Sequence, residues 1–329
     1  MPGYSGQVRW LAGCKKHRPM IRHERPHVVV LAGGDGNRLA SLTRALYGLD
    51  LPKQFAVLAG ERSLLQTTIE RAMLLTSLDH ISVVVTVHHE TMARAQLAPY
   101  PGVELVVQPR NLDTAPGMLL PLARILARHA TARVVFLPSD HYLADPAPLA
   151  RALATAAEHP LSNRLALVGV TPTGPEVEYG WIVRGDRIGR THGFTVDRFQ
   201  EKPPHAIASE LWRAGGLWNT FIQAAAADTF WDLARQYLPG HATLLERYAA
   251  TVDGPDEHRA LVSAYEQMTP ASFSRDVLAH ATHTLAVLPV DGTGWSDWGS
   301  PQRVFASLAG TPCHDRLVER IRSDVAMAG

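Results

Sequence analysis

The apolar run Val28-Val29-Val30-Leu31 is followed at once by Ala32-Gly33-Gly34-Asp35-Gly36-Asn37-Arg38-Leu39. In an open α/β sheet, ligands bind beyond the carboxyl ends of the strands, so the residues after a buried strand are the first place to look for chemistry. Three glycines let the backbone approach a phosphate or a base and turn its N–H groups toward it, and Arg38 adds a permanent cation with a planar donor fork. Such a loop handles phosphate. It matches neither of two commoner phosphate loops: GxGxxG needs glycine where Leu39 stands, and GxxxxGK followed by Ser or Thr has no counterpart here. A glycine-rich turn between strand and helix also serves purely structural ends, so its meaning rests on the residues that accompany it.

Asp140 ends the run Arg-Val-Val-Phe-Leu-Pro-Ser-Asp, which places a carboxylate at the sheet edge where a ligand belongs, and Asp297 sits in the turn-rich Gly-Trp-Ser-Asp-Trp-Gly segment. Lys53 follows Pro52, and Lys202 lies in the turn Glu201-Lys202-Pro203. The pair His88-His89 with Glu90 is not a zinc-protease HExxH, because Ala93 holds the last position, and it reads as an exposed turn. His141 reads as a packing neighbour of Asp140. Cys14 and Cys313 are the only cysteines, so no disulfide framework and no cysteine-rich zinc site is available.

These groups need a scaffold, and the chain supplies one by alternation. From His27 onward, short Val/Ile/Leu-rich runs alternate with longer segments of helical period, the βαβ pattern of a parallel sheet covered by helices on both faces. Ser63 and Thr114 read as helix N-caps. Residues 236–275 read as mostly helical, and Thr284–Asp291 returns as a strand before a short C-terminal helix. Residues 1–26 are basic, lack a period and stop at Pro26, so they read as a tail; 27–329 read as a single domain.

Composition narrows the partners. Among 329 residues, 32 Lys and Arg stand against 31 Asp and Glu, which removes the electrostatic case for nucleic acid or a membrane surface. No run of about 18 apolar residues exists to span a bilayer, and the N-terminal stretch lacks the apolar centre of a signal peptide, so the expected location is the cytoplasm. The expected partners are small molecules.

The glycine loop, followed by Leu51-Pro52-Lys53-Gln54-Phe55, resembles the signature of the sugar-1-phosphate nucleotidyltransferases and is closest in kind to the mannose-1-phosphate guanylyltransferase branch. The resemblance continues in order through Gln108-Pro109-Arg110-Asn111, Thr114-Ala115-Pro116, Pro138-Ser139-Asp140-His141, Glu178-Tyr179-Gly180-Trp181, Glu201-Lys202-Pro203, Leu217-Trp218-Asn219 and Gly294–Gly299. It covers roughly residues 27–305. It implies a Rossmann-like nucleotidyltransferase fold, with a mostly parallel central sheet flanked by helices and a small C-terminal extension. Residues 27–235 would form the nucleotide- and sugar-binding core, and 236–329 would close the site and carry Asp297.

The implied reaction is attack by a sugar 1-phosphate oxygen on the α-phosphorus of a nucleoside triphosphate, forming a nucleotide-sugar and releasing pyrophosphate. GTP and mannose 1-phosphate are the default substrates. By resemblance, Asp140 and Asp297 hold Mg²⁺, whose preference is for hard oxygen ligands, and Arg38, Lys53 and Lys202 are the catalytic cations. Ala32, Gly33, Gly34, Gly36, Arg38, Gln108, Asn111 and Thr114 would bind the nucleotide. Tyr179, Gly180, Glu201, Lys202 and Asn219 would bind the sugar phosphate, with Tyr179 and Trp218 as walls. The resemblance also implies a homodimer. With no isomerase-like segment and no hexapeptide repeat, the expectation is a monofunctional chain.

The chain departs from the family pattern at four places. Arg38 and Lys53 are separated by about four extra residues, in a segment expected to lie over the nucleotide; Asn37 replaces the commoner Thr; Arg110-Asn111-Leu112-Asp113-Thr114 replaces a shorter form; and Ser274 stands where an Asp is usual. These leave open another base, another hexose phosphate or a cyclitol phosphate. A catalytically silent, nucleotide-sugar-sensing homologue is the alternative of another class, and a dinucleotide-dependent dehydrogenase leaves the later motifs unexplained.

Overall fold

The computed structural model describes residues 25–158, 161 and 163–327. All but the last two residues of the expected basic tail, and Cys14 with them, lie outside that range. The described strands are β1 (His27–Leu31), β2 (Ile81–Thr86), β3 (Glu104–Gln108), β4 (Arg133–Pro138), β5 (Leu165–Val170), β6 (Gly180–Arg187), β7 (Phe194–Gln200), β8 (Leu217–Ala226) and β9 (Leu285–Pro289). They form one sheet in the order β3-β2-β1-β4-β8-β5-β9-β7-β6, with β6 also pairing with β8. The helices are α1 (Ala40–Tyr47), α2 (Leu64–Ala72), α3 (Glu90–Leu97), α4 (Thr114–Arg128), α5 (Ala147–Glu158), α6 (His205–Arg213), α7 (Ala227–Tyr237), α8 (Pro239–Ala249), α9 (Glu257–Gln267), α10 (Pro301–Leu308) and α11 (Pro312–Met327).

The period-2 alternation of the strands decides which helices they carry. Val29, Val134 and Phe136 pack with α4, α7 and α8 on one face, whereas Val28, Val30, Val135 and Leu137 pack with α2, α3 and α5 on the other. Both faces are therefore apolar, as the unbroken Val-rich runs require. The parallel character expected from the sequence holds over β1–β4 and for the β5–β9 pair. The other pairings are antiparallel. Connection length explains one of them: β6 and β7 are joined by a short hairpin, and a parallel return needs a crossover of a dozen or more residues.

Local chemistry sets the helix starts. Ser63 caps α2 through a reciprocal box, its hydroxyl accepting from the Gln66 N–H at 3.1 Å while Gln66 Oε1 accepts from the Ser63 N–H. At α4 the cap is Asp113 rather than the expected Thr114, its carboxylate accepting from the Thr114 N–H at 2.6 Å. The Thr114 hydroxyl instead accepts from the Phe273 N–H at 2.9 Å and ties α4 to the C-terminal part of the chain.

The segment between Arg38 and Lys53 that carries the extra residues contains α1, and residues 40–51 do not line the cleft described below. Leu42 and Leu46 are buried against Val304, Leu308 and Leu317, so the insertion is packed beneath α10 and α11. Arg320 on α11 completes the contact, donating to the Val57 carbonyl at 2.8 Å and lying over the Tyr47 ring. The single short C-terminal helix expected from sequence is thus a pair, α10 and α11. Among the described residues no helix is long and apolar enough to cross a membrane.

Candidate active site

The strand order reverses direction of growth between β1 and β4, the crevice where open α/β sheets bind ligands. A cleft of about 1210 Å³ opens there. Of the residues the sequence nominates, all but Ala32 and Trp218 line it. Ala32 is buried, its N–H donates to the Val84 carbonyl at 2.8 Å, and its own carbonyl accepts from Gln54, so its backbone serves the fold.

The glycine loop is held from below by a residue that spacing alone did not single out. Gln54 Nε2 donates to the carbonyls of Ala32 at 3.2 Å and Gly34 at 2.7 Å. Gly36 bends the loop over it with φ 65°, and a Cβ there would stand 2.6 Å from Gln54 Oε1 and 2.7 Å from the Lys53 N. Gly34 lines the cleft and has nothing within 4 Å of such a Cβ, so the space beside its Cα is open. The signal for Gln54 was its place beside Lys53 in the Pro-Lys-Gln-Phe motif.

Charge is concentrated where β1 and β4 end. Lys53 is buried, and its Nζ donates to the Asp297 backbone carbonyl at 2.7 Å and meets Asp140 Oδ2 at 3.0 Å. The loops carrying the two aspartates are joined by a bridge between Tyr142 and Ser296, with reciprocal backbone bonds of 2.9 and 3.1 Å. Asp297 Oδ1 accepts from the Tyr179 hydroxyl at 2.7 Å, the Gly299 N–H at 2.9 Å and Arg303 at 3.0 Å. Its Oδ2 is left with Arg38 at 3.6 Å. Burial opposes ionisation of Asp297, but the Tyr179 hydrogen bond and the neighbouring cations outweigh it and hold the carboxyl below its ordinary range. Asp140 is likewise held low, the Lys53 charge and its hydrogen bond overcoming burial.

Tyr179 and Arg303 therefore have a task that spacing did not reveal. Tyr179 lines the cleft and is also a buried donor that aims Asp297, and Arg303 lies over its ring at 4.8 Å while also pairing with Glu176. Arg303 carried no local motif. Arg38, half exposed, bridges Asp297 and Glu178 at 3.6 and 3.7 Å. His141 accepts from the Trp295 indole at 3.3 Å, and burial lowers its pKa to about 4, so it packs as a neutral ring. Two carboxylates facing a phosphate loop are a donor set that Mg²⁺ uses, since it keeps several waters and takes one or two carboxylates plus substrate phosphates. Among the described residues no group of three or more His, Cys, Asp or Glu converges.

Toward β6–β8 the cleft becomes a polar pocket. Gly180 sits where a Cβ would fall 2.8 Å from Glu201 Oε2, so only glycine lets that carboxylate reach the wall. Burial raises the Glu201 pKa, against the pull of Lys202, the Ser274 hydrogen bond and Arg275. Asn219 is buried, its Oδ1 accepting from the Phe221 N–H at 3.2 Å. Lys202, exposed on the wall, has φ 43°, and Phe221 and Asp113 on the same cleft have φ 60° and 69°. Non-glycine residues held this way cost of order 1–3 kcal/mol each and concentrate at ligand sites. Trp218 packs edge-on against Tyr179 at 4.9 Å, behind the pocket. At the opposite end, Gln108, Asn111 and Thr114 line the cleft beyond β3.

This fold and site belong to a known class. The model of the nucleotidyl transferase family matches residues 27–309, and the chain is a member of that family. More particularly, it is 31% identical over 278 residues to the "Xanthan biosynthesis protein XanB" of Xanthomonas campestris pv. campestris (strain B100), which covers 83% of this chain and 57% of that protein. It is 30% identical over 311 residues to the "Mannose-1-phosphate guanylyltransferase" of Escherichia coli (strain K12), covering 88% of this chain and 62% of that one. The chain thus spans about three fifths of the length of these curated relatives. Among solved structures, "mannose-1-phosphate geranyltransferase" from Thermus thermophilus superposes with a TM-score of 0.76 at 30% identity, over 88% of this chain and 81% of that one. A UDP-glucose pyrophosphorylase complexed with UDP-glucose shares the fold, with a TM-score of 0.56 at 13% identity, over 86% of this chain and 97% of that one.

Proposed function

We propose that the chain transfers a nucleotidyl group, GMP from GTP, to a sugar 1-phosphate, with mannose 1-phosphate the first acceptor to test, and releases pyrophosphate in a Mg²⁺-dependent reaction. The observation that carries this reading is the arrangement of Lys53, Asp140, Asp297 and Arg38 at the switch point, between the end of the cleft beyond β3 and a polar pocket at β6–β8. The names of the relatives favour guanine and mannose 1-phosphate.

The chemistry asks for little beyond placement and charge. The nucleophile is a phosphate monoester whose second pKa of about 6 leaves it largely dianionic at pH 7, so no general base is needed. What limits the reaction is bringing two polyanions together in line and neutralising the leaving pyrophosphate. The loop N–H groups and Arg38 hold the triphosphate, Lys53 faces the reacting phosphates, and Lys202 with Glu201, Gly180 and Asn219 seats the sugar phosphate. Asp140 and Asp297 would hold Mg²⁺, which supplies charge neutralisation on the phosphoryl oxygens. Ser274 and Arg275 beside Glu201 support testing other hexose phosphates and a cyclitol phosphate as acceptors.

The test is pyrophosphate release with Mg²⁺ across four nucleoside triphosphates and a panel of sugar and cyclitol 1-phosphates. Release with GTP and one acceptor is the expected result. Nucleotide-sugar binding with no release for any pair refutes catalysis and assigns the chain to the sensing homologues.

A further inference from the structure

Arg71, on the buried side of α2, is 6% exposed, and its surroundings do not satisfy it. A guanidinium carries five N–H donors. Among the described residues it makes one hydrogen bond, from Nη2 to the His141 carbonyl at 3.4 Å, while Nε is buried with no partner. No described carboxylate pairs with it. Burial alone pulls its pKa down, to about 10, so it remains a cation at neutral pH. Nor does it cap its own helix, because the carbonyls of Ile69, Arg71 and Ala72 at the end of α2 accept from the backbone N–H groups of residues 73–76.

The place of this cation is specific. One turn earlier on α2, the buried Thr68 hydroxyl donates to the Ser139 carbonyl at 3.4 Å, so Thr68 and Arg71 hold the backbone on either side of Asp140. Ser139, Asp140 and His141 line the cleft and Arg71 does not, so the guanidinium lies directly behind that stretch of wall.

We propose that Arg71 is a positioning residue for the triphosphate: its charge, without a counter-ion in the folded chain, is balanced by the polyphosphate that enters the cleft on the other side of the 139–141 backbone. A buried cation without a partner costs the fold, and the His141 carbonyl could be met by a neutral amide at lower cost. What arginine adds at this position is a permanent charge. Set in a wall of low dielectric, that charge reaches the phosphates held by Lys53 and the loop N–H groups, and it needs no reorganisation when they arrive. Arg71 acts through space and touches neither substrate.

The inference rests on the cleft taking a triphosphate, and the experiment separates the two. Arg71→Gln keeps an amide donor without the charge, Arg71→Met keeps an apolar stem without the charge, and Arg71→Lys keeps the charge. Binding of the nucleoside triphosphate that the wild type uses, with Mg²⁺, and of the matching nucleoside is measured by calorimetry on the wild type and each variant, alongside Tm and pyrophosphate release. The expected result is a roughly tenfold loss of triphosphate affinity in Arg71→Gln and Arg71→Met, the effect of a unit charge one backbone layer from a multiply charged anion. Nucleoside affinity stays within about twofold of wild type, and Arg71→Lys recovers most of the loss. Tm of the two neutral variants stays at or above wild type, because an uncompensated buried charge has gone. A side chain that merely packs would weaken triphosphate and nucleoside alike and lower Tm, and that pattern overturns the inference. Wild-type triphosphate affinity in both neutral variants also overturns it, and leaves the proposed transfer reaction standing. A wild type that binds no triphosphate overturns both. Should one neutral variant fold poorly, the other carries the comparison.

Discussion

Three glycines of one loop should respond to the same substitution in three different ways. At Gly36, alanine meets a left-handed backbone, φ 65°, and its Cβ falls 2.6 Å from Gln54 Oε1, 2.7 Å from the Lys53 N and 2.9 Å from Pro52 Cα. Two of those atoms are backbone and cannot swing away. The left-handed conformation costs about 1 kcal/mol for alanine and the overlap about 2 more, so Gly36→Ala loses about 3 kcal/mol, or about 5 °C in Tm for a chain of this size. It also displaces the Gln54 clamp and Lys53, so turnover falls by at least tenfold. At Gly34 no heavy atom lies within 4 Å, and Gly34→Ala keeps Tm within about 1 °C because the loss of chain entropy in the unfolded state offsets any small strain. Its effect appears only with nucleotide bound, as a raised KM. At Gly33 the clash is with the far end of Gln108, which gives way, so Gly33→Ala spares stability but disturbs base preference. Differential scanning fluorimetry with and without GTP, alongside pyrophosphate release, reads all three. Equal Tm losses at Gly34 and Gly36 would refute the division of the loop into one glycine for the fold and two for the ligand.

Asp140→Asn and Asp297→Asn should each lower Mg²⁺-dependent turnover by roughly 10²–10³ while Tm moves by a few degrees at most; near wild-type rates in either would remove that residue from the metal assignment. Lys53→Ala leaves Asp140 without its cation in a mostly buried setting, so it costs about 2 kcal/mol of stability but about a hundredfold in turnover, and a variant with full activity would make Lys53 structural. At the opposite end of the sheet, His27 stacks on His80 at 4.5 Å and lies 4.8 Å from His129, and burial followed by those two rings lowers its pKa from 6.5 to about 4. Between those values the unfolded chain binds the extra proton, so stability is complete above pH 6.5 and falls as pH drops toward 4. The loss is about 2 kcal/mol once partial exposure is discounted. His27→Gln should flatten the Tm profile over that window, and an unaltered profile would place the acid sensitivity elsewhere.

What could be read from the sequence is what depends on short spacing. The β1 run, the glycine loop and Asp140 at the end of β4 are each set by a strand and the few residues after it, and period-2 burial puts them at one sheet edge without further information. The capping box at Ser63 is local in the same sense. Thr114 was one residue off because Asp113 tolerates φ 69° and offers a charged acceptor to the first free N–H of α4. The α1 helix was missed for a different reason. Its eight residues are too few to declare a period, and its stability comes from α10 and α11, which lie at the far end of the chain.

The contacts that aim the functional groups were beyond reach of any local pattern, and the physical reason is common to them. Lys53 is fixed by a backbone carbonyl 244 positions away, Tyr179 by a carboxylate 118 away and Gln108 by a phenol 157 away. Each is a polar group whose partner is brought near only by the fold. Asp297 carries the chemical consequence. With three donors on Oδ1, rotation of the carboxylate would leave several of them unpaired at low solvent exposure, so Oδ2 is held toward the cleft before any substrate arrives. A reaction that consists of assembling phosphates around fixed charges requires that kind of advance placement. Motif residues specify which charges are present; the long-range donors Tyr179 and Arg303 specify where Asp297 points.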